Sequence, residues 1–286
     1  MTTARVHDQT VCLLGEGALW HPERGELLWF DILGRLLFVG DKRHRLPELS
    51  TAAGWIDRDT VLMAQRGALL RFDLNTGQGE RVAGLEEGNS NIRSNDGRAD
   101  PWGGFWIGTM GLKGGDDVEA GAIWRYYRGE VRQLVPKVTI PNAICFDPDG
   151  THAYYTDTEV QIVWRQPLSD KDGFPVGDRE LFLDVRGTDL YPDGAVTDAE
   201  GNVWIAFWGS GKVAGYGRDG QPLEEYAVPA TQSTCPAFGG EGLSTLFVTT
   251  AAAGIVQHDL ATTPETGRTF AVETGRKGVP EPKVIL

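Results

Sequence analysis

The chain of 286 residues is 41% hydrophobic and 23% charged, with a formal net charge of −13. This is the composition of an ordinary globular protein. The acidity excludes a phosphate-reading nucleic-acid surface and argues equally against an anionic membrane.

In chain order, helical periodicity is nearly absent. What recurs is a short apolar strand, an Asp- or Gly-bearing turn, and a second strand rich in aromatic and β-branched residues. The turns are HPERG at 21–25, DRD at 57–59, DPWGG at 100–104, DPDG at 147–150, DAEG at 198–201 and GGEG at 239–242. Third strands are expected at 34–40, 67–73, 121–127, 160–166, 211–217 and 254–260, with more polar fourth strands such as 129–135 and 222–228. Six units of roughly 40 to 50 residues, each about four strands, predict an all-β, six-bladed propeller. The expectation is a single domain over 1–286, its ring closed by VCLLGEG (11–17) pairing with the last blade. A sandwich of unrelated strands is the alternative, which six similarly ordered units disfavour.

Cys12, Cys145 and Cys235 lie far apart and form no CxxC pair. They read as reduced, mostly buried thiols in a reducing compartment. The sequence does not open on a signal-peptide pattern, and no run approaches about 18 apolar residues. A cytoplasmic location with no membrane or nucleic-acid partner is the expectation.

Polar residues precede several of the first strands. They are Glu16 in LGEGALW, Arg93, Asn95 and Asp96 in IRSNDG, Asn142 in IPNAI, and Asp193 in YPDGAV. Taken singly, each is a common turn or surface residue. Their shared phase in different repeats would bring them together at the channel mouth. Glu16, Asn142 and Asp193 would then offer two carboxylates and an amide oxygen. Such a set suits one divalent cation, Ca²⁺, Mg²⁺ or Mn²⁺, and less typically Zn²⁺ or Fe²⁺, with positions left open for water and substrate. Other chemistries lack support. There is no HExxH, FWGSGK (207–212) lacks GxSxG spacing, and the five histidines show no ligand spacing. His21 and His152 read as solvated surface residues.

LGEGALW, RSNDGRADPWGGFWIGTM, IPNAICFDPDGTHAYYTDT, YPDGAVTDAEGNVWIAFW and CPAFGG together resemble the family of regucalcin (senescence marker protein), gluconolactonase and the luciferin-regenerating enzyme, above all its bacterial sugar-lactone lactonases. The resemblance runs in order along almost the whole chain. It implies a catalytic divalent metal at the channel mouth, held by Glu16, Asn142 and Asp193, with Asp193 also the general base. It implies substrate contacts at Arg93 and Asn95, and leaves Asp96 as a residue that only holds the turn. The first motif departs by having Ala18 where Pro is common. The lid of the third blade is here LKGGDDVEAG (112–121), in which Asp117 or Glu119 is the candidate acidic substrate contact.

The implied reaction is hydrolysis of a small-molecule sugar lactone to the open sugar acid by a monomer or weak homo-oligomer. The rival readings are a non-catalytic calcium-binding propeller and an esterase for non-sugar esters.

Overall fold

The computed structural model describes residues 2–255 and 263–286. These form six antiparallel sheets of four strands, one of which carries a fifth, parallel strand at its outer edge. The innermost strands are Gly15–His21, Ser50–Asp57, Ile92–Ala99, Pro141–Phe146, Tyr191–Thr197 and Ser233–Gly239. Each packs against the next, and the sixth returns to the first, so the sheets close into a six-bladed propeller.

Packing explains why the ring must close. A four-stranded sheet with aromatic and branched side chains on both faces cannot bury either one alone. Six apolar clusters lie in the seams between successive blades. Leu28, Phe30, Val61 and Met63 fill the first seam, and Cys12, Trp29, Cys235 and Phe247 fill the last. The remaining seams are built likewise. All three cysteines are free and buried. Burial pushes the Cys12 thiol up to about 12.

The six expected turns join first to second strands, and their aspartates act as caps. Asp100 Oδ1 accepts from the backbone N–H groups of Trp102 and Gly104, and Asp198 Oδ1 from those of Glu200 and Asn202. Three expectations need correction. Ring closure is made by Arg5–Asp8, which pairs with Thr269–Glu273 as the fourth strand of the last blade. The 11–17 segment contributes only a bridge from Leu14 to Ala251 and backbone bonds at Cys12 and Leu13. The third position of that blade belongs to Thr269–Glu273, not to 254–260, of which 256–260 lie outside the described residues. His21 is fully buried: Nε2 bonds the Asp57 carbonyl, and Nδ1 accepts from the Arg24 backbone N–H. A turn motif signals where the chain reverses, and not which of its side chains face inward.

The segment 277–285 crosses the face opposite the mouth. It exchanges backbone hydrogen bonds with Ala199, Leu243, Trp55 and Gly103, which belong to four different blades. From it, the buried Glu281 carboxylate reaches into the channel and takes a hydrogen-bonded ion pair from Arg98.

Candidate active site

Glu16, Arg93, Asn95, Asp96, Asn142 and Asp193 sit inside inner strands rather than just before them. Register shifts fall at Glu16/Leu19, Ser94/Gly97, Asn142/Cys145 and Pro192/Ala195, the same phase of four blades. A bulge of this kind interrupts the ladder and re-aims a side chain. Asn95, Asp96 and Asp193 fall within the shifts, while Arg93, Asn142 and Glu16 sit in paired positions at or just before them. The residue after Glu16 and the residue after Asn142 both adopt positive φ, 60° at Gly17 and 55° at Ala143. Gly17 is also required sterically, since a Cβ there would lie 2.2 Å from the Thr51 carbonyl oxygen.

The bulges open onto a cavity of about 500 Å³. Glu16, Asn142 and Asp193 line it together with Arg93 and Asn95. Arg93 Nη1 donates to Asn95 Oδ1 at 2.8 Å, and Asn95 Nδ2 donates to Asn142 Oδ1 at 2.9 Å. Asn142 Nδ2 donates to Thr158 Oγ1 at 2.9 Å, and Thr158 donates to the Pro192 carbonyl at 2.7 Å. One hydrogen-bonded chain therefore runs across three blades and fixes the orientation of both amides. Asp96 turns away from this chain, its Oδ2 accepting from the Ile144 N–H at 2.8 Å. It ties two blades together and does not line the cavity.

The charge balance is unusual. Burial pushes the Glu16 carboxyl up to about 8, and Asp96 adds to the effect. Burial likewise lifts Asp193 well above the carboxylate range, helped by the Glu16 and Asp96 charges. Asp96 itself rises to about 6 through burial. Burial draws Arg93 down to about 10 against the pull of Glu16 and Asp193. Two desolvated carboxylates thus face each other with Arg93 as the sole basic side chain on the lining.

A divalent cation fits this set. Its donors would be oxygens alone, and its charge would offset the two carboxylates that raise each other's proton affinity. Among the described residues, no group of three or more His, Cys, Asp or Glu is arranged to hold a metal. The candidate centre depends on the Asn142 amide as its third donor.

The structure does not bring Asp117 or Glu119 into the cavity. Asp117 Oδ2 accepts from the Lys113 N–H within its own loop, and Glu119 is exposed in a neighbouring groove. From the same region, Gly114 reaches the lining. Several lining residues were not anticipated. Tyr191 and Trp208, register partners on adjacent strands, form an aromatic wall. Met110 and Ile140 are apolar neighbours, and Glu159 stands at the rim with Thr158 beneath it. The available signal was positional: the start of an inner strand and the end of the next both reach the mouth.

A six-bladed propeller with paired carboxylates, an amide and an arginine gathered at one end of its channel is a propeller with a small-molecule site at its mouth. The chain matches the family model described as SMP-30/Gluconolactonase/LRE-like region over residues 14–252, and it belongs to that family. It is 35% identical to a 6-deoxy-6-sulfogluconolactonase of Pseudomonas putida, over 94% of each chain. It is 36% identical to a pentonolactonase of Haloferax volcanii, over 98% of this chain and 97% of that one. Among solved structures it superposes on a calcium-binding protein, regucalcin, from Agrobacterium tumefaciens with a TM-score of 0.96 and 40% identity, covering 100% of this chain and 98% of that one.

Proposed function

We propose that the protein is a metal-dependent sugar-lactone hydrolase. The observation that carries this reading is the convergence of Glu16, Asn142 and Asp193 with Arg93 and Asn95 on one cavity. A scaffold or purely structural propeller has no use for two buried, mutually repelling carboxylates beside an arginine.

Glu16, Asn142 and Asp193 would hold the divalent ion, which when bound supplies Lewis-acid polarisation of the lactone carbonyl. The chain's own groups do the rest. Asp193 accepts a proton from the attacking water at its carboxylate. The water oxygen bonds to the carbonyl carbon, the ring C–O bond breaks, and the proton held by Asp193 passes to the ring oxygen, which leaves as the hydroxyl of the open sugar acid. Arg93 donates to substrate oxygens, and Asn95, whose amide hydrogens are taken by the Pro141 carbonyl and Asn142, accepts from a substrate hydroxyl at Oδ1, so that the ester is held in register with Asp193. The Tyr191 and Trp208 rings offer apolar surface to the C–H face of a sugar ring. The two lactonase relatives are named for different lactones, a sulfonated hexonolactone and a pentonolactone, so membership of the family leaves the substrate's far end open.

The test is metal-stripped protein against a panel of aldonolactones and non-sugar esters, followed by acid release with and without each divalent ion. Metal-dependent acid release from sugar lactones is expected. Absence of hydrolysis with every ion, in a folded protein that still binds metal, would replace this reading with that of a calcium-binding propeller.

A further inference from the structure

The Glu159 carboxylate on the rim has no role in the chemistry above, yet it is carefully placed. It belongs to a single 3-10 turn, Thr158–Val160, whose geometry is fixed by Asp157. One oxygen of Asp157 accepts from the Glu159 N–H at 3.3 Å and from Ile140 at 3.0 Å, and the other accepts from Thr139 at 2.7 Å. Thr158, the neighbouring residue, is part of the hydrogen-bonded chain that orients Asn142. Glu159 therefore stands on a turn joined to the site and not on a free loop. The loop carrying Gly115 passes close over it, a Cβ there falling 2.7 Å from Glu159 Oε1.

The lining's charges indicate what this side chain does. Glu16 and Asp193 would be balanced by a divalent ion, and Arg93 stands beside them. Among the described residues Arg93 is the basic side chain on the cavity lining; Lys137 and Arg179 share with Glu159 the neighbouring groove outside it. Building on the lactonase reading, we propose that Glu159 is a specificity-determining residue that admits lactones with a neutral, hydroxyl-bearing tail and rejects those with an anionic tail, such as a phosphate, sulfonate or carboxylate. A carboxylate accepts hydrogen bonds from hydroxyl groups, but it repels a second anion brought to the same rim.

The experiment compares gluconolactone with its 6-phosphate as substrates for the wild-type metalloenzyme, Glu159→Gln and Glu159→Lys. In parallel, calorimetry measures binding of glucitol and glucitol 6-phosphate, which cannot be hydrolysed. The wild type should favour the neutral compound of each pair. Glu159→Lys should raise the anionic-to-neutral ratio of kcat/KM by at least about tenfold, with Glu159→Gln between. The wild-type preference should weaken as salt is raised, because the rim is exposed to solvent. Equal ratios in all three proteins would overturn the filter while leaving the lactonase reading intact. A binding contrast that shifts with Glu159 but comes without turnover would overturn the lactonase reading and leave the filter standing.

Discussion

Asn95 Nδ2 donates to Asn142 Oδ1 at 2.9 Å, tying the third blade to the fourth through the oxygen assigned to the metal. Thr158 accepts from the other end of the same amide, so Asn142 cannot turn over without losing both bonds. Groups that orient a ligand typically change metal affinity by about 10- to 100-fold when removed. Asn95→Ala should therefore weaken divalent-ion binding by about tenfold at unchanged secondary structure. Titration of the metal-free variant by calorimetry checks this. Affinity equal to wild type would show that Asn142 does not depend on Asn95.

Asp193 is expected to carry the proton transfer. Asp193→Asn should lower kcat by about a hundredfold to ten-thousandfold. The same change removes one of two carboxylates that raise each other's proton affinity. The metal-free variant should accordingly be at least as stable as wild type near neutral pH, in contrast to its loss of activity. Thermal melts alongside steady-state rates separate the two effects. An active Asp193→Asn enzyme would sink the assignment.

The metal-free protein should lose stability as pH rises. Glu16 holds its proton more tightly folded, to about 8, than at its ordinary value of 4.5. Its favourable contribution is complete below that ordinary value and disappears as pH rises through the folded one. Asp193 acts in the same direction, and Asp96 loses its share near pH 6. Melting temperature should fall from about pH 5 to pH 8, and added divalent ion should restore more stability at the upper end, where it no longer competes with protons. A metal-free protein whose stability climbs over that interval would contradict the buried-acid arrangement.

Arg98 and Glu281 form a buried pair far apart in sequence, both side chains 8% exposed. Removing one partner of such a pair typically costs about 3–5 kcal/mol because the other charge is left uncompensated. Glu281→Ala should destabilise by that order, while Arg98→Met with Glu281→Leu should recover much of the loss. Denaturant unfolding of the single and double variants decides it. Additive losses would mean that the two residues act independently.

The blades were legible because their signal is repeated: an Asp-led turn followed by an aromatic strand marks each seam-filling pair. The convergence of Glu16, Asn142 and Asp193 with the Arg93–Asn95 pair was legible from their shared phase and from the family resemblance. Other parts were not. The closing strand RVHD carries no apolar run, since half of it faces solvent at an edge. The third strand of the last blade, Thr269–Glu273, begins further beyond the second than the spacing of the other blades leads one to expect. The family's lid points to Asp117 or Glu119 by resemblance, but in this structure Asp117 accepts a backbone bond within its own loop and Glu119 lies in the neighbouring groove. Glu159, one turn beyond a recognised motif, occupies the rim because Asp157 caps the turn that bears it, a relationship that spacing does not encode.

The strap formed by 277–285 has a bearing on how the chain is made. Four blades receive a backbone bond from it, and Arg98, fixed in the third blade, finds its ion-pair partner Glu281 there. During vectorial synthesis the first five blades emerge before that ion pair can form, and the sixth must wait for Thr269–Glu273 to meet Arg5–Asp8. The ring therefore reaches its final form only after nearly all of it has left the ribosome, and a nascent chain stalled before residue 277 should remain open to proteases that the finished protein resists.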